Sequence, residues 1–219
     1  MARDATDTRE VLLRTARRMF ASDGIHQVPL KRIIETAGQR NASALHYHFG
    51  GRDGLLMAIT ERHDVAIELE RATMLDRLEA AGHLDDVRAL VEALVVPFAH
   101  ELTTDEGREY LRIVEQLVGL FDLWDIEVAS GPTGAQRVFH HIEQQLRELD
   151  AAVRHERITL FLSMVTEALA TRARRLDGDR APALDHDAFV RNLVDMCVGA
   201  LLAPATPFGT EPASRSGTG

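Results

Sequence analysis

Between residues 40 and 52 the chain carries Arg40, Asn41, Ser43, His46, Tyr47, His48 and Arg52. All are hydrogen-bond donors. The arginine, hydroxyl and imidazole groups suit phosphate oxygens, and short polar groups at the start of a helix can pair with base edges. Arg40, Asn41, Ser43 and His46 therefore form the candidate reading edge, while Tyr47, His48 and Arg52, at the far end, are placed to meet the phosphate backbone. The chemistry expected is recognition of double-stranded DNA.

Other chemistries find weaker support. His46 and His48 are two residues apart, about 200° around a helix, and His140 and His141 are adjacent, so neither pair converges on one metal ion. No His-x3-His, CxxC, phosphate-binding glycine loop or G-x-S-x-G elbow occurs. Cys197, the one cysteine, lies among apolar neighbours and reads as a core thiol rather than a nucleophile. The expectation is a protein that is not an enzyme and has neither cofactor nor metal. The two rivals weighed against DNA binding are an enzyme and a helical interaction module without nucleic-acid affinity.

The donors need a scaffold, and the apolar spacing predicts an all-α chain with no strand-like alternation. A first helix is expected over Thr8–Ser22, with its stripe at Val11, Leu12, Thr15, Ala16, Met19 and Phe20 and a stop at Asp23-Gly24. Pro29 sits at the first turn of a second, over Leu30–Thr36. Gly38 breaks the chain, Asn41 or Ser43 caps a third helix ending near Phe49, and Gly50-Gly51 closes it. Three short helices joined by a glycine-containing turn make a helix-turn-helix, in which the third lies in the major groove. A long helix follows from Asp53 towards Ala80, then helices over 84–102, 105–129, 134–149, 152–177 and 186–202. The Pro-, Gly-, Ser- and Thr-rich end reads as a disordered tail. The division expected is 1–53 for DNA binding, 54–203 for ligand binding and dimerisation, and 204–219 for the tail.

Charge is distributed to suit this. The net charge is −9, yet residues 1–62 hold ten Lys/Arg against seven Asp/Glu, and the remainder 15 against 27. A basic end on an acidic body orients approach to a polyanion. Hydrophobic residues at 45% and charged residues at 27% are an ordinary globular balance, and no window is apolar enough for a membrane span. MARDATDTRE lacks the apolar core of a secretory signal, so a cytoplasmic home is expected, on the nucleoid when DNA is bound.

Residues 9–62 resemble the DNA-binding domain of the TetR family of bacterial regulators. The likeness is carried by the Leu12–Phe20 stripe, Ala21-Ser22-Asp23-Gly24, Ile33-Ile34-Glu35-Thr36-Ala37-Gly38 and Leu45-His46-Tyr47-His48-Phe49-Gly50-Gly51-Arg52-Asp53-Gly54-Leu55-Leu56. It implies a contact role for Lys31, early in the second helix, and backbone contacts for Tyr47, His48 and Arg52. Two departures stand out: the turn Gly38–Ala42 is one residue longer than usual, and His46 replaces the commoner tyrosine. The family also implies a homodimer on a palindromic operator, released by a small-molecule inducer, with activation instead of repression left open.

For the body, the resemblance implies that the last two long helices pair with their copies. Phe161, Met164, Val165 and Ala168 on one, and Val190, Leu193, Val194, Cys197 and Leu201 on the other, are the apolar candidates. An inducer pocket would gather Phe98, Phe121 and Trp124 around Arg112 and Glu115, with Tyr110, Phe139, His100 and His140 nearby.

Overall fold

The computed structural model describes residues 2–39, 43–118, 133–179 and 181–205, and those residues are all-α. The helices are α1 (Ala2–Asp23), α2 (Leu30–Thr36), α3 (Ala44–Phe49), α4 (Arg52–Ala81), α5 (Val87–His100), α6 (Asp105–Val118), α7 (Gly134–Gln145), α8 (Ala151–Leu176) and α9 (His186–Leu201), with one 3-10 turn at Glu101–Thr103. Among the described residues no helix is long and apolar enough to cross a membrane.

The stops follow from residue chemistry. Gly24, Gly50 and Gly82 end α1, α3 and α4 with φ of +95°, +71° and +71°, a region open to glycine and closed to most side chains. Side-chain oxygens of Asp86, Asp150 and Asp185 accept from the first backbone N–H groups of α5, α8 and α9. Thr133 and Gln136 cap the start of α7 reciprocally, as a capping box.

Two expectations need correction. α1 begins at Ala2 rather than Thr8, since Ala2–Asp7 contains neither glycine nor proline to stop it. Pro29 is the N-cap of α2, with extended backbone (φ −66°, ψ 137°), rather than its first helical residue. The long helix from Arg52 is unbroken to Ala81. The tail beyond residue 205 and the stretch 119–132 lie outside the described residues.

Two cores share this one long helix. In the N-terminal head, Leu12, Leu13, Ala16, Phe20, Ile33, Leu45 and Phe49 pack with Leu55 and Ile59 of α4 and with Ile113 of α6. The body core begins further along α4, at Ile67 and Leu75, and gathers α5 to α9. The head thus rests on α4 and on α6, so displacement of either helix reaches the head through packed side chains.

Candidate nucleic-acid interface and effector region

α3 is six residues long, too short to be stable alone, and is held by what it buries. Ala44, Leu45 and Phe49 turn inward, and the Arg9 guanidinium lies over the Phe49 ring at 5.1 Å. Ser43 and His46 are exposed, and Tyr47 is 84% exposed, with its ring edge-on to His48 at 5.2 Å. Lys31 stands out from α2, its ammonium 3.6 Å from Glu35 one turn on. The structure therefore brings Lys31, Ser43, His46 and Tyr47 to the surface of the head, with His48 half-buried; Arg40 and Asn41 lie outside the described residues.

Arg52 is turned the other way. Its Nη2 donates to the Val28 carbonyl at 2.7 Å, its Nη1 to the Ile25 carbonyl, and its guanidinium sits over Phe20 at 5.5 Å. It satisfies carbonyls left free between α1 and α2, so its work is to fix α4 against that turn. Arg52 is half-buried, and these bonds engage part of its guanidinium inside the head.

Sequence reading missed the fastening of head to body. Arg17, 2% exposed, donates from Nε to Glu109 and from Nη2 to Glu106, both at 2.7 Å. Gln116 accepts from the Ile25 N–H at 2.8 Å and donates to the Phe20 carbonyl at 3.1 Å. The available signal was Arg17 itself, a charge four residues after Leu13 and three before Phe20, inside the face that must be buried.

In the body, the residues proposed for one pocket separate. Phe98 lies near-parallel to Tyr110 (centroids 6.4 Å apart, planes at 14°), whose hydroxyl donates to Asp64 at 2.6 Å; burial, then the Asp64 charge, pushes the phenol well above its ordinary pKa. Arg112 pairs instead with Asp177 at 2.8 Å, and Glu115 with Arg174 at 3.0 Å. Two residues beyond Tyr110 on the same helix, Arg112 points about 200° away from it, towards α8. Phe121 and Trp124 lie outside the described residues. Two clefts open elsewhere. One, of about 220 Å³, runs between α5 and α9 by His100 and Val190; the other, of about 330 Å³, lies between α8 and α9 by Arg172 and Phe189.

The apolar residues assigned to dimer pairing are mostly used within the chain. Phe161, Val165, Leu193, Val194, Cys197 and Leu201 are 3% exposed or less, in the core formed with α5 and α6. Only Met164, Ala168 and Val190 of that set are partly open. The apolar groups that do face outward are Leu160 and Met196, 58% and 56% exposed, with Leu202 beyond. Each helix carries two apolar sides, and the core takes the wider one. Burial pushes the Cys197 thiol up to about 12, so it stays protonated at neutral pH. Among the described residues no three His, Cys, Asp or Glu side chains are grouped to hold a metal ion.

Residues 12–59 match the model of a family described as bacterial regulatory proteins, tetR family. Among solved structures, a TetR-family regulator from Streptomyces coelicolor A3 is 20% identical, with 90% of this chain and 95% of that one covered and a TM-score of 0.40. A TetR-family transcriptional regulator from Pectobacterium atrosepticum is also 20% identical, with 94% and 100% covered and a TM-score of 0.40. Likenesses that loose carry no argument about function. No curated protein matches the chain.

Proposed function

We propose that this chain, a member of the tetR family of bacterial regulatory proteins, represses transcription in the cytoplasm by binding a palindromic operator as a homodimer and releases it on binding a small molecule. The observation that carries the reading is the division of α3. Ala44, Leu45 and Phe49 anchor it, while Ser43, His46 and the 84%-exposed Tyr47 are held outward, and Lys31 is exposed on α2 of the same head. The phenol hydroxyl of Tyr47 is open to solvent, where a phosphate oxygen would accept from it.

The test is recovery of bound genomic fragments, followed by titration of the recovered site across a salt series. Affinity should fall steeply with salt. Lys31→Ala should lower the slope of log affinity against log salt by about 1. Tyr47→Ala should weaken binding about tenfold, on operator and unrelated DNA alike, as loss of a hydrogen bond to a charged acceptor would. An unchanged Tyr47→Ala titration removes α3 from the interface.

The second copy is assigned to the outward faces of α8 and α9. Leu160, Met164 and Met196 are apolar there, and Gly199 and Ala200 are exposed and small enough for close approach. A two-fold pairing of this kind can set two reading helices about 34 Å apart on one side of the duplex. Leu160→Asp combined with Met196→Asp is expected to give a folded monomer by light scattering, with operator affinity reduced at least about a hundredfold. A double variant that stays dimeric moves the interface elsewhere.

Release needs an effector that binds the free shape better than the DNA-bound one. α4 and α6 both touch the head, so an effector held between them in the body can change the spacing of the two heads.

A further inference from the structure

Arg71 is the most deeply buried cation among the described residues, its side chain 1% exposed in the middle of α4. One arm, Nη1, bonds the Glu68 carboxylate one turn back. Nε and Nη2 are buried and have no hydrogen-bond partner. These two nitrogens share one edge of the guanidinium, where their N–H groups run parallel. Leaving that edge dry costs the desolvation of each donor, and buried donors without partners are rare enough in folded proteins to need a reason.

The surroundings say what would fit. The guanidinium lies 5.3 Å from the centre of the Phe98 ring. Tyr110 is near-parallel to Phe98, and His63 stacks on Tyr110 at 4.5 Å and 16°. On this side the setting is aromatic. Charge, in contrast, is already balanced. Glu68 holds Arg71 with one oxygen and accepts the Gly134 N–H with the other at 2.6 Å, and Asp64 adds a further negative charge on the same side of α4. Another anion would be the third carboxylate around one cation in a dry site, which its desolvation opposes. An uncharged oxygen brings the acceptor without that cost.

We infer that the Nε–Nη2 edge of Arg71 is the polar anchor of the effector site and takes a carbonyl oxygen of a neutral, largely apolar molecule. The inference rests on the effector reading above and gives it a chemical class. It also supplies the coupling, because Arg71 and Arg52 stand on one unbroken helix, and Arg52 fixes that helix to the head. A ligand that draws on Arg71 acts directly on the rod that carries α3.

The test uses the full chain free of DNA, by titration calorimetry. The probes are 9-fluorenone and 2-undecanone, each beside the acid of similar skeleton, fluorene-9-carboxylate and undecanoate. At least one ketone should bind once per chain and at least about tenfold tighter than its acid. Arg71→Met should reduce ketone affinity at least about tenfold while the free variant melts within a few degrees of the parent, because the groups it removes make only the Glu68 bond and the Phe98 ring contact, methionine still packs on that ring, and Glu68 can turn to water. Should that variant fail to fold, Arg71→Lys keeps the charge beside Glu68, lacks the paired edge, and should show the same loss. Acids binding as tightly as ketones, a variant that binds ketone as the parent does, or no binding of any probe by the parent each overturn the inference. Operator titration of the same preparation separates the two levels. DNA affinity without ketone binding sinks this site alone, and ketone binding without DNA affinity sinks the regulator and leaves the site.

Discussion

Arg17→Met is expected to cost about 3 kcal/mol, the low end for breaking a buried ion pair, and to loosen the head from the body before either unfolds. The low end applies because the two partners differ in exposure. Glu106 is 53% exposed and can find water, and only Glu109, 14% exposed, is left stranded beside the weaker, exposed Arg18 at 3.6 Å. Methionine fills much of the arginine stem, so the loss falls on the charge pair and not on packing. Hydrogen exchange should report it as faster exchange along α1 with α8 unchanged, and denaturant titration as a lower midpoint. Equal exchange along α1 in parent and variant would mean that the head is held by Gln116 and the Ile113 contact instead.

Acid is expected to do the same reversibly. Burial pushes the Glu106 carboxyl up, but the bonds and charge of Arg17 outweigh it, and the group is held below its ordinary 4.5. A carboxylate lowered by folding contributes its full stability above the unfolded pKa and loses it as pH falls through the folded one. The Arg17-dependent part of the stability should therefore be intact above about pH 4.5 and fade below it, while Arg17→Met should show a flatter profile over that range.

The parts legible in the sequence were those set by local chemistry. Glycine stops at 24, 50 and 82, apolar spacing along α1 and α8, and the polar side of α3 each depend on residues within a turn or two. Arg52 was read as a phosphate contact because a basic residue beside a reading helix is ordinarily one. Its partners, the carbonyls of Ile25 and Val28, lie 27 and 24 residues earlier, and nothing in their side chains announces that their backbone is unsatisfied. The ion pairs of Arg112 and Glu115, expected as pocket anchors, were hidden for the same reason, since Asp177 and Arg174 are about sixty residues on. The dimer face is a different case. Periodicity shows that α8 and α9 are apolar on more than one side, but only the packed body decides which side the chain keeps for itself.

Gly54→Ala is expected to weaken operator binding while leaving the body folded, though exchanging glycine for alanine inside a helix ordinarily stabilises. Propensity alone favours alanine by up to about 1 kcal/mol. Against that, a Cβ on Gly54 would stand 1.9 Å from the Phe49 carbonyl oxygen and 3.0 Å from its carbon. Those are backbone atoms at the end of α3, so no side-chain rotation relieves the clash, and overpacking of this kind costs about 1–3 kcal/mol or more. The clash wins, and the cheapest relief is to move α3 away from the first turn of α4. With six residues and three inward anchors, α3 cannot move without carrying Tyr47 and His46 with it. A displacement of that sort should lower operator affinity at least about tenfold, equivalent to 1.4 kcal/mol, with α8 and α9 exchanging as in the parent. A Gly54→Ala protein that is more stable and binds DNA undiminished would mean that the close approach of α4 to Phe49 is not what sets the reading helix.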